Sequence, residues 1–495
     1  MYGREPGRSF AVSDQCSSIT PLNAATLAPA WVIRTASPVT ASPSVVDGTV
    51  YVGENAGTFY AIDAATGAVE WTFEVPDGNQ SYVGKIVSSA AVTEVDGTRV
   101  VLIAGGSTIY VLDAADGSEL TTLCTDPRAP GPERCEGSTF DIDVLSSPAV
   151  VEMDGETWVV VGTDVHNRRN VGRTGVMAFR LRADPWAAEM LWKFDPETRL
   201  SYTTDASKEG EEGFVHTADP ITYDHGNGDG CGGVWSSPAV DEENEMVFFG
   251  TASCSKDGVF SGESMFGIDL RSGGFRWTYN PRTEHGESTR LDDDFGASAN
   301  LLPGGAVGEG GKDGWYYARD RLTGDEVFST RAGQAGHVNP DFAIGGMIGT
   351  AAIGEVFDEP TIFASTAIST PVGDPFAEDF DRFDATLAED PGRMFSIHAI
   401  SARDGRILWR SPLSRQSYGA PTYGRGVLFV PATVDFAINV FDADTGALLR
   451  RLPLNGAPSS APAIAGDSIY VGAGTTIDPF PFQSLSGIWA YRLAG

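Results

Sequence analysis

Residues 231–254 read CGGVWSSPAVDEENEMVFFGTASC. A small-hydroxyl lead, SSPAV, runs into a polar turn, DEENE, and then into a short apolar run, MVFFG. An apolar run this short, bounded by turn residues and Gly, reads as a buried strand. The lead recurs along the chain: ASPSVVDG from Ala41, SSAAVTEVDG from Ser88, SSPAVVEMDG from Ser146 and SSPAVDEENE from Ser236. Looser versions follow at GASANLLPGG from Gly296, GTAAIGE from Gly349, GAPTYGRG from Gly419 and SSAPAIAGDS from Ser459, which makes eight. Each precedes a β-rich run such as VYVG, WVVVG or VLFVP.

A second signature lies downstream of the first. AIDAATGAVEW ends at Trp71, GIDLRSGGFRW at Trp277 and AISARDGRILW at Trp409, while VLDAADG, ARDRLTG and VFDADTG show the same turn without the tryptophan. In most of them an Asp ends one strand and bonds the turn backbone, a Gly takes the positive φ, and a second strand follows. Two hairpins per repeat give a four-stranded antiparallel sheet. Eight such sheets with no helical pattern between them predict an all-β, eight-bladed β-propeller, a ring that leaves no long sheet edge exposed. The last repeat ends at GIWAYRLAG with no strand after its turn, and LAPAWVIRT (28–36) stands before the first full repeat. The amino-terminal strand is therefore expected to close the ring within a single domain, 1–495. Acidic, Pro- and Gly-punctuated insertions at 197–230 and 367–393 are expected to form lids or rims at one mouth of the funnel, or else plain disordered excursions.

Composition narrows the function. Lys and Arg number 34 against 67 Asp and Glu, a net charge of −33. Such a surface repels nucleic acid and anionic lipid, so neither is an expected partner. No run of apolar residues is long enough to span a membrane. The start, MYGREPGRSF, lacks the basic-then-apolar pattern of a signal peptide. Cys124 and Cys135 bracket one loop and Cys231 and Cys254 bracket the opening hairpin, leaving Cys16 over. Two local pairs point to disulfides and to an oxidising, extracytoplasmic compartment. There is no CxxC or CxxCH, so neither zinc nor an attached haem is expected. His216, His225 and His337 show no metal-ligand spacing, and HGNGDG (225–230) lacks the acidic first position and closing Glu of a calcium loop. The triple Asp292, Asp293, Asp294 could coordinate a cation, but is expected rather to cap the start of the FGAS segment.

With both signatures read, the chain resembles the quinoprotein alcohol dehydrogenase propellers, which use pyrroloquinoline quinone (PQQ), and in particular their polyvinyl-alcohol-dehydrogenase-like branch. The A-x-D-x-x-[ST]-G-x-x-x-W turn is similar to their tryptophan-docking motif. MYGREPGRSF resembles their opening, DDDFGASANLL and GEGGKDGWYYARDRLTG their fifth blade, and GGMIGTAAI their sixth. The resemblance implies that Trp235 is the floor on which the quinone stacks and that Lys312 reaches the quinone oxygens. It implies a Ca²⁺ beside the quinone as Lewis acid, and a carboxylate base.

Departures from the family pattern are equally legible. Where the family has T-G-N this chain has T-A-S, so Ser253 would offer a hydroxyl to the metal. Where the family's Glu ligand comes from the preceding blade, the stretch HNRRNVGRTG supplies Asn170 and arginines. The nearest carboxylate after the T-A-S turn is Asp257, taken as base and Ca²⁺ ligand, with Glu263 next. The adjacent-cysteine disulfide of many members has no counterpart. Two readings follow. One is a PQQ-dependent alcohol dehydrogenase, without its own haem, passing electrons to a separate acceptor. The other is a non-catalytic propeller, a binding or assembly scaffold with a protein partner, in which Trp235 is core packing.

Overall fold

A computed structural model describes residues 1–76, 81, 83–125, 142–165, 174–218, 220, 231–253, 260–285, 292–333, 337–339, 342–343, 345–367, 395–414, 416–474 and 484–494. The fold is an eight-bladed propeller of four-stranded antiparallel sheets with almost no helix. Blade 1 runs outward through Ser44–Val46, Thr49–Gly53, Thr58–Asp63 and Val69–Glu74, and the other blades repeat this order. Closure takes the predicted form: Leu27–Arg34 pairs with Gly487–Leu493 as the outer strand of blade 8. One end of the chain thereby locks onto the other, and every blade has two neighbours.

The serine-rich leads have a physical reason. In blades 2 and 3 the first of two successive hydroxyls bonds within its own blade, Ser88 Oγ with Ala104 N (3.3 Å) and Ser146 Oγ with Gly162 O (2.9 Å) and Gly162 N (2.7 Å). The second bonds across to the neighbouring blade. The N–H of Ser42 donates to Ser89 Oγ (2.9 Å), Ser89 to Ser147 (2.9 Å), Ser147 to Ser237 (2.8 Å), Ser237 to Ser298 (2.8 Å) and Ser298 to Thr350 Oγ1 (2.8 Å). Ala461 N–H donates to Ser42 Oγ (2.8 Å), joining blade 8 to blade 1. The belt lapses at Ala420 and Ala461, which carry no hydroxyl to receive the preceding blade. Buried backbone N–H groups need such partners because water does not reach them.

Outer strands are joined by tryptophan. Trp71 Nε1 donates to Ala114 O (3.0 Å), Trp277 to Arg321 O (2.9 Å) and Trp409 to Ala443 O (2.9 Å), each on the Asp-Gly turn of the next blade. Trp192 and Trp31 make the same bond to Leu270 O (2.8 Å) and Ala64 O (3.1 Å). Interblade clusters of Val, Ile, Phe and Ala fill the space between.

The amino-terminal segment crosses the funnel as a strap. Carbonyls of Pro6, Gly7, Ser9 and Phe10 accept from the N–H groups of Val240, Leu301, Ile353 and Tyr423, one on each of blades 4 to 7. Fully buried Arg8 anchors it, donating to Pro238 O (2.9 Å), Tyr2 O (2.6 Å) and Ser147 O (2.8 Å). Of the first insertion, Leu200–Thr203 and Phe214–His216 add strands to the outer edge of blade 3 rather than covering the funnel. Residues 221–230 and nearly all of 367–393 lie outside the described residues.

Candidate functional site

Each inner strand is preceded by a loop at the same end of the ring, and on blades 3 to 6 these loops are stitched side by side. Val234 N–H donates to Thr163 O (2.9 Å), Ala252 to Gly233 O (2.8 Å), Phe295 to Thr251 O (3.4 Å), Lys312 to Asp294 O (3.1 Å) and Met347 to Gly311 O (3.0 Å). The hydroxyl belt lies three residues deeper along the inner strands, and the strap lies three residues beyond the belt. The stitched loops therefore form the wall of one mouth of the funnel.

Trp235 and Lys312 come together on this wall. Lys312 Nζ sits 5.7 Å from the centre of the Trp235 ring. The ammonium is clamped by Asp294 Oδ1 (2.7 Å) and Asp292 Oδ2 (3.2 Å), all three side chains being largely buried. Trp235 Nε1 donates to Asp294 Oδ2 at 3.1 Å, so one carboxylate orients both indole and ammonium. Burial alone would lower the Lys312 pKa, but the Asp294 and Asp292 carboxylates outweigh it and hold the group charged. Ser253 is buried, and its Oγ donates to Asp292 Oδ1 across 3.4 Å.

The aspartate triple thus lines the site, where the sequence reading made it a cap. Asp293 faces the other way: its N–H donates to Glu263 Oε1 (3.2 Å), and its carboxylate lies 3.7 Å from Arg282 Nη1. Glu263 is fully buried, with a positive φ of 51°. Desolvation, reinforced by Asp293 and Asp294, pushes its carboxyl up to about 9, so it is a neutral acid at physiological pH. Behind it Arg282 pairs with Asp313 and donates to Tyr317 Oη (3.3 Å).

Two other expectations need separate treatment. Asp257 and Asn170 lie outside the described residues. Blade 3 does supply a carboxylate, contrary to the reading of HNRRNVGRTG: Asp164, two residues before that stretch, is 1% exposed. Its Oδ1 lies 2.1 Å from where a Cβ on Gly233 would stand, which explains the glycine there. The missed signal was register, since VGTD of blade 3 aligns with FGTA of blade 4 at Gly162 and Gly250.

The residues fit a flat anionic ring system. A partly exposed indole offers the stacking face, and a fixed ammonium beside it offers charge to acidic oxygens. They fit a calcium ion less well. Ser253 Oγ is turned to Asp292, and among the described residues no three His, Cys, Asp or Glu side chains converge as a metal site requires.

Comparison with known proteins bears on the family and the fold. The family model described as glucose/ethanol/alcohol dehydrogenase, β-propeller domain, matches residues 2–336, and that of the outer membrane protein assembly factor BamB matches 393–489. Polyvinylalcohol dehydrogenase of Sphingopyxis sp. (strain 113P3) is 20% identical over 500 residues, covering 90% of this chain and 68% of that protein. Among solved structures, the quinohemoprotein alcohol dehydrogenase from Comamonas testosteroni superposes with a TM-score of 0.69 at 16% identity, covering all of this chain and 80% of that one. A europium-containing methanol dehydrogenase gives 0.69 at 15% identity, covering 100% and 97%. BamB from Moraxella catarrhalis gives 0.51 at 12% identity over 94% and 99%. With the first of these models spanning well over half of its length, the chain belongs to the β-propeller family of the glucose, ethanol and alcohol dehydrogenases.

Proposed function

We propose that this propeller is a PQQ-dependent dehydrogenase acting on an alcohol and passing electrons to an external acceptor. The observation that carries the reading is the Trp235–Asp294–Lys312 constellation at the funnel mouth. PQQ, when bound, supplies a two-electron acceptor for alcohol oxidation. Trp235 is the stacking floor, and Lys312 the cation that neutralises acidic oxygens above it. Asp294 is the residue that orients both groups, its Oδ1 holding the ammonium and its Oδ2 the indole N–H. Asp257 remains the proposed proton acceptor from the substrate hydroxyl. Glu263, neutral and buried, keeps a further negative charge away from Asp294.

An extracytoplasmic location is supported by the cysteines. Cys124 and Cys231 are both disulfide-bonded and Cys16 is free, as expected if the partners are Cys135 and Cys254. A single domain over 1–495 is the companion proposal. No helix among the described residues is long and apolar enough to cross a membrane.

The second reading, a scaffold that binds a protein partner, draws on Ser253 being turned away from a metal role and on the match of 393–489 to BamB. Thermal melts with PQQ and Ca²⁺, together and separately, on the native chain and Trp235→Ala decide between the two. A rise in Tm that needs PQQ and is lost in the variant supports the dehydrogenase. No shift at about millimolar PQQ supports the scaffold. Whether Ca²⁺ adds to the PQQ shift separately tests the metal.

A further inference from the structure

The strap shows how this funnel holds a polypeptide, and it covers only part of the ring. On an antiparallel edge strand, alternate N–H and C=O groups point away from the neighbouring strand. On blades 4 to 7 those groups at Val240, Leu301, Ile353 and Tyr423 receive the strap. The same register positions on blades 8, 1 and 2 are Ile464, Val45 and Val92, opposite Ile469, Val50 and Val101. Among the described residues no backbone bond crosses to their N–H groups. At blade 8 the strap has moved outward to the turn, where Gly466 N–H donates to Cys16 O (2.8 Å) and Ser18 N–H to Gly466 O (2.7 Å). A cavity of about 400 Å³ opens over this arc, lined by Val45, Val92 and Ile464 on one side and by Tyr2 and Arg4 of the strap on the other.

We propose that this open arc is a docking groove for an extended polypeptide segment of a partner protein, bound by main-chain hydrogen bonds to blades 8, 1 and 2 as the strap is bound to blades 4 to 7. The occupant's chemistry follows from continuity with the strap. Five residues, Pro6 to Phe10, reach four blades, so a comparably short segment spans the arc of blades 8, 1 and 2. The walls at Pro43, Val46 and Ala463 favour small apolar side chains. The Arg4 guanidinium, partly engaged by Ala11 O (3.1 Å), favours an acidic residue at the strap side. Addition of a strand to an exposed sheet edge is a general mode of peptide recognition. The groove lies on the far side of the hydroxyl belt from Trp235, so the proposal does not depend on the dehydrogenase reading.

The test is a random decapeptide library displayed on phage and selected against the full chain, the enriched peptide then being synthesised with a fluorophore. Its affinity is measured by anisotropy on the native chain and on Val45→Pro, Val92→Pro and Ala463→Trp. The proline variants delete funnel-facing N–H groups that the blade's own ladder does not use, and Ala463→Trp fills the groove without touching the backbone. Each proline is expected to weaken binding about fivefold, the loss of one hydrogen bond, and the tryptophan by tenfold or more, with Tm within a few degrees of native. Three outcomes overturn the proposal. One is no enriched peptide; another is a peptide whose affinity all three variants leave unchanged. The third is a self-association in sedimentation that Ala463→Trp abolishes, which would assign the groove to a second copy.

Discussion

Replacing Lys312 by Met removes the one cation clamped between Asp292 and Asp294 and leaves both carboxylates in place. The Asp294 side chain is 2% exposed and that of Asp292 11%, so water cannot replace the ammonium. Breaking a buried pair by deleting one partner costs about 3–5 kcal/mol, because the remaining charge stays buried. Unfolding entropy near ~2.1 cal/mol/K per residue, over 495 residues, makes ~1 kcal/mol of destabilisation worth ~1 °C if the ring melts as one unit. A fall in Tm of about 3–5 °C near neutral pH is therefore expected. The pH dependence carries the sharper sign. In the native chain the pKa of Lys312 is raised by its partners. Its contribution is present below the ordinary lysine value and is lost as pH rises through the folded value. In the variant the two buried carboxylates are left without a counter-charge, and protonation relieves that burden. The deficit should therefore be full at about pH 8 and shrink by about pH 5. Scanning calorimetry of both proteins at the two pH values measures it. An equal deficit at both, or one below ~1 kcal/mol, would refute the buried-pair argument.

Ser147→Ala should cost about 1–3 kcal/mol, because it strands the buried N–H of Ser89; chemical denaturation reads the loss. By the same measurement Ala420→Ser, at a position where the belt lapses, should cost less than ~1 kcal/mol. Gly117 has φ +75°, and a Cβ there would lie 2.5 Å from Cε3 of the Trp71 indole. Gly117→Ala should therefore lower stability by at least ~2 kcal/mol and raise the exposure of Trp71 to acrylamide quenching. His398 is buried, with Arg410 adding to the desolvation that pushes its pKa down to about 4. Its neutral form contributes stability above the ordinary histidine value that is lost as pH falls through 4, so His398→Gln should flatten the acid limb of Tm against pH.

The ring was legible because its determinants are local and repeated. A small-residue lead and an apolar run recur eight times with variations, and an Asp-Gly-type turn six times, and each dictates its own strand or hairpin regardless of the other blades. Even the closing strand was visible, because GIWAYRLAG lacked a partner that LAPAWVIRT could supply, and the two are paired. Trp235 and Lys312 were singled out by resemblance to the quinoprotein propellers rather than by the repeat itself, and the fold brings them within 5.7 Å.

Long-range encounters were not legible. Asp292, Asp293 and Asp294 are three consecutive carboxylates in the sequence, which says nothing of which one meets Lys312, 18 to 20 residues later, and which meets Glu263. The alternating directions of successive side chains in a loop stitched between two blades decide that. Asp164 was passed over because its neighbours in sequence are arginines, while its neighbour in space is Gly233 of the next blade. MYGREPGRSF could be matched to a family's opening, but not seen as a strap whose backbone bonds four of the eight blades, since backbone groups leave no mark on sequence. The sequence by itself determined the number of blades and their strands, because those follow from periodicity. Only the tertiary structure decided which carboxylates share the site and which edges stay open, because ring closure sets those distances.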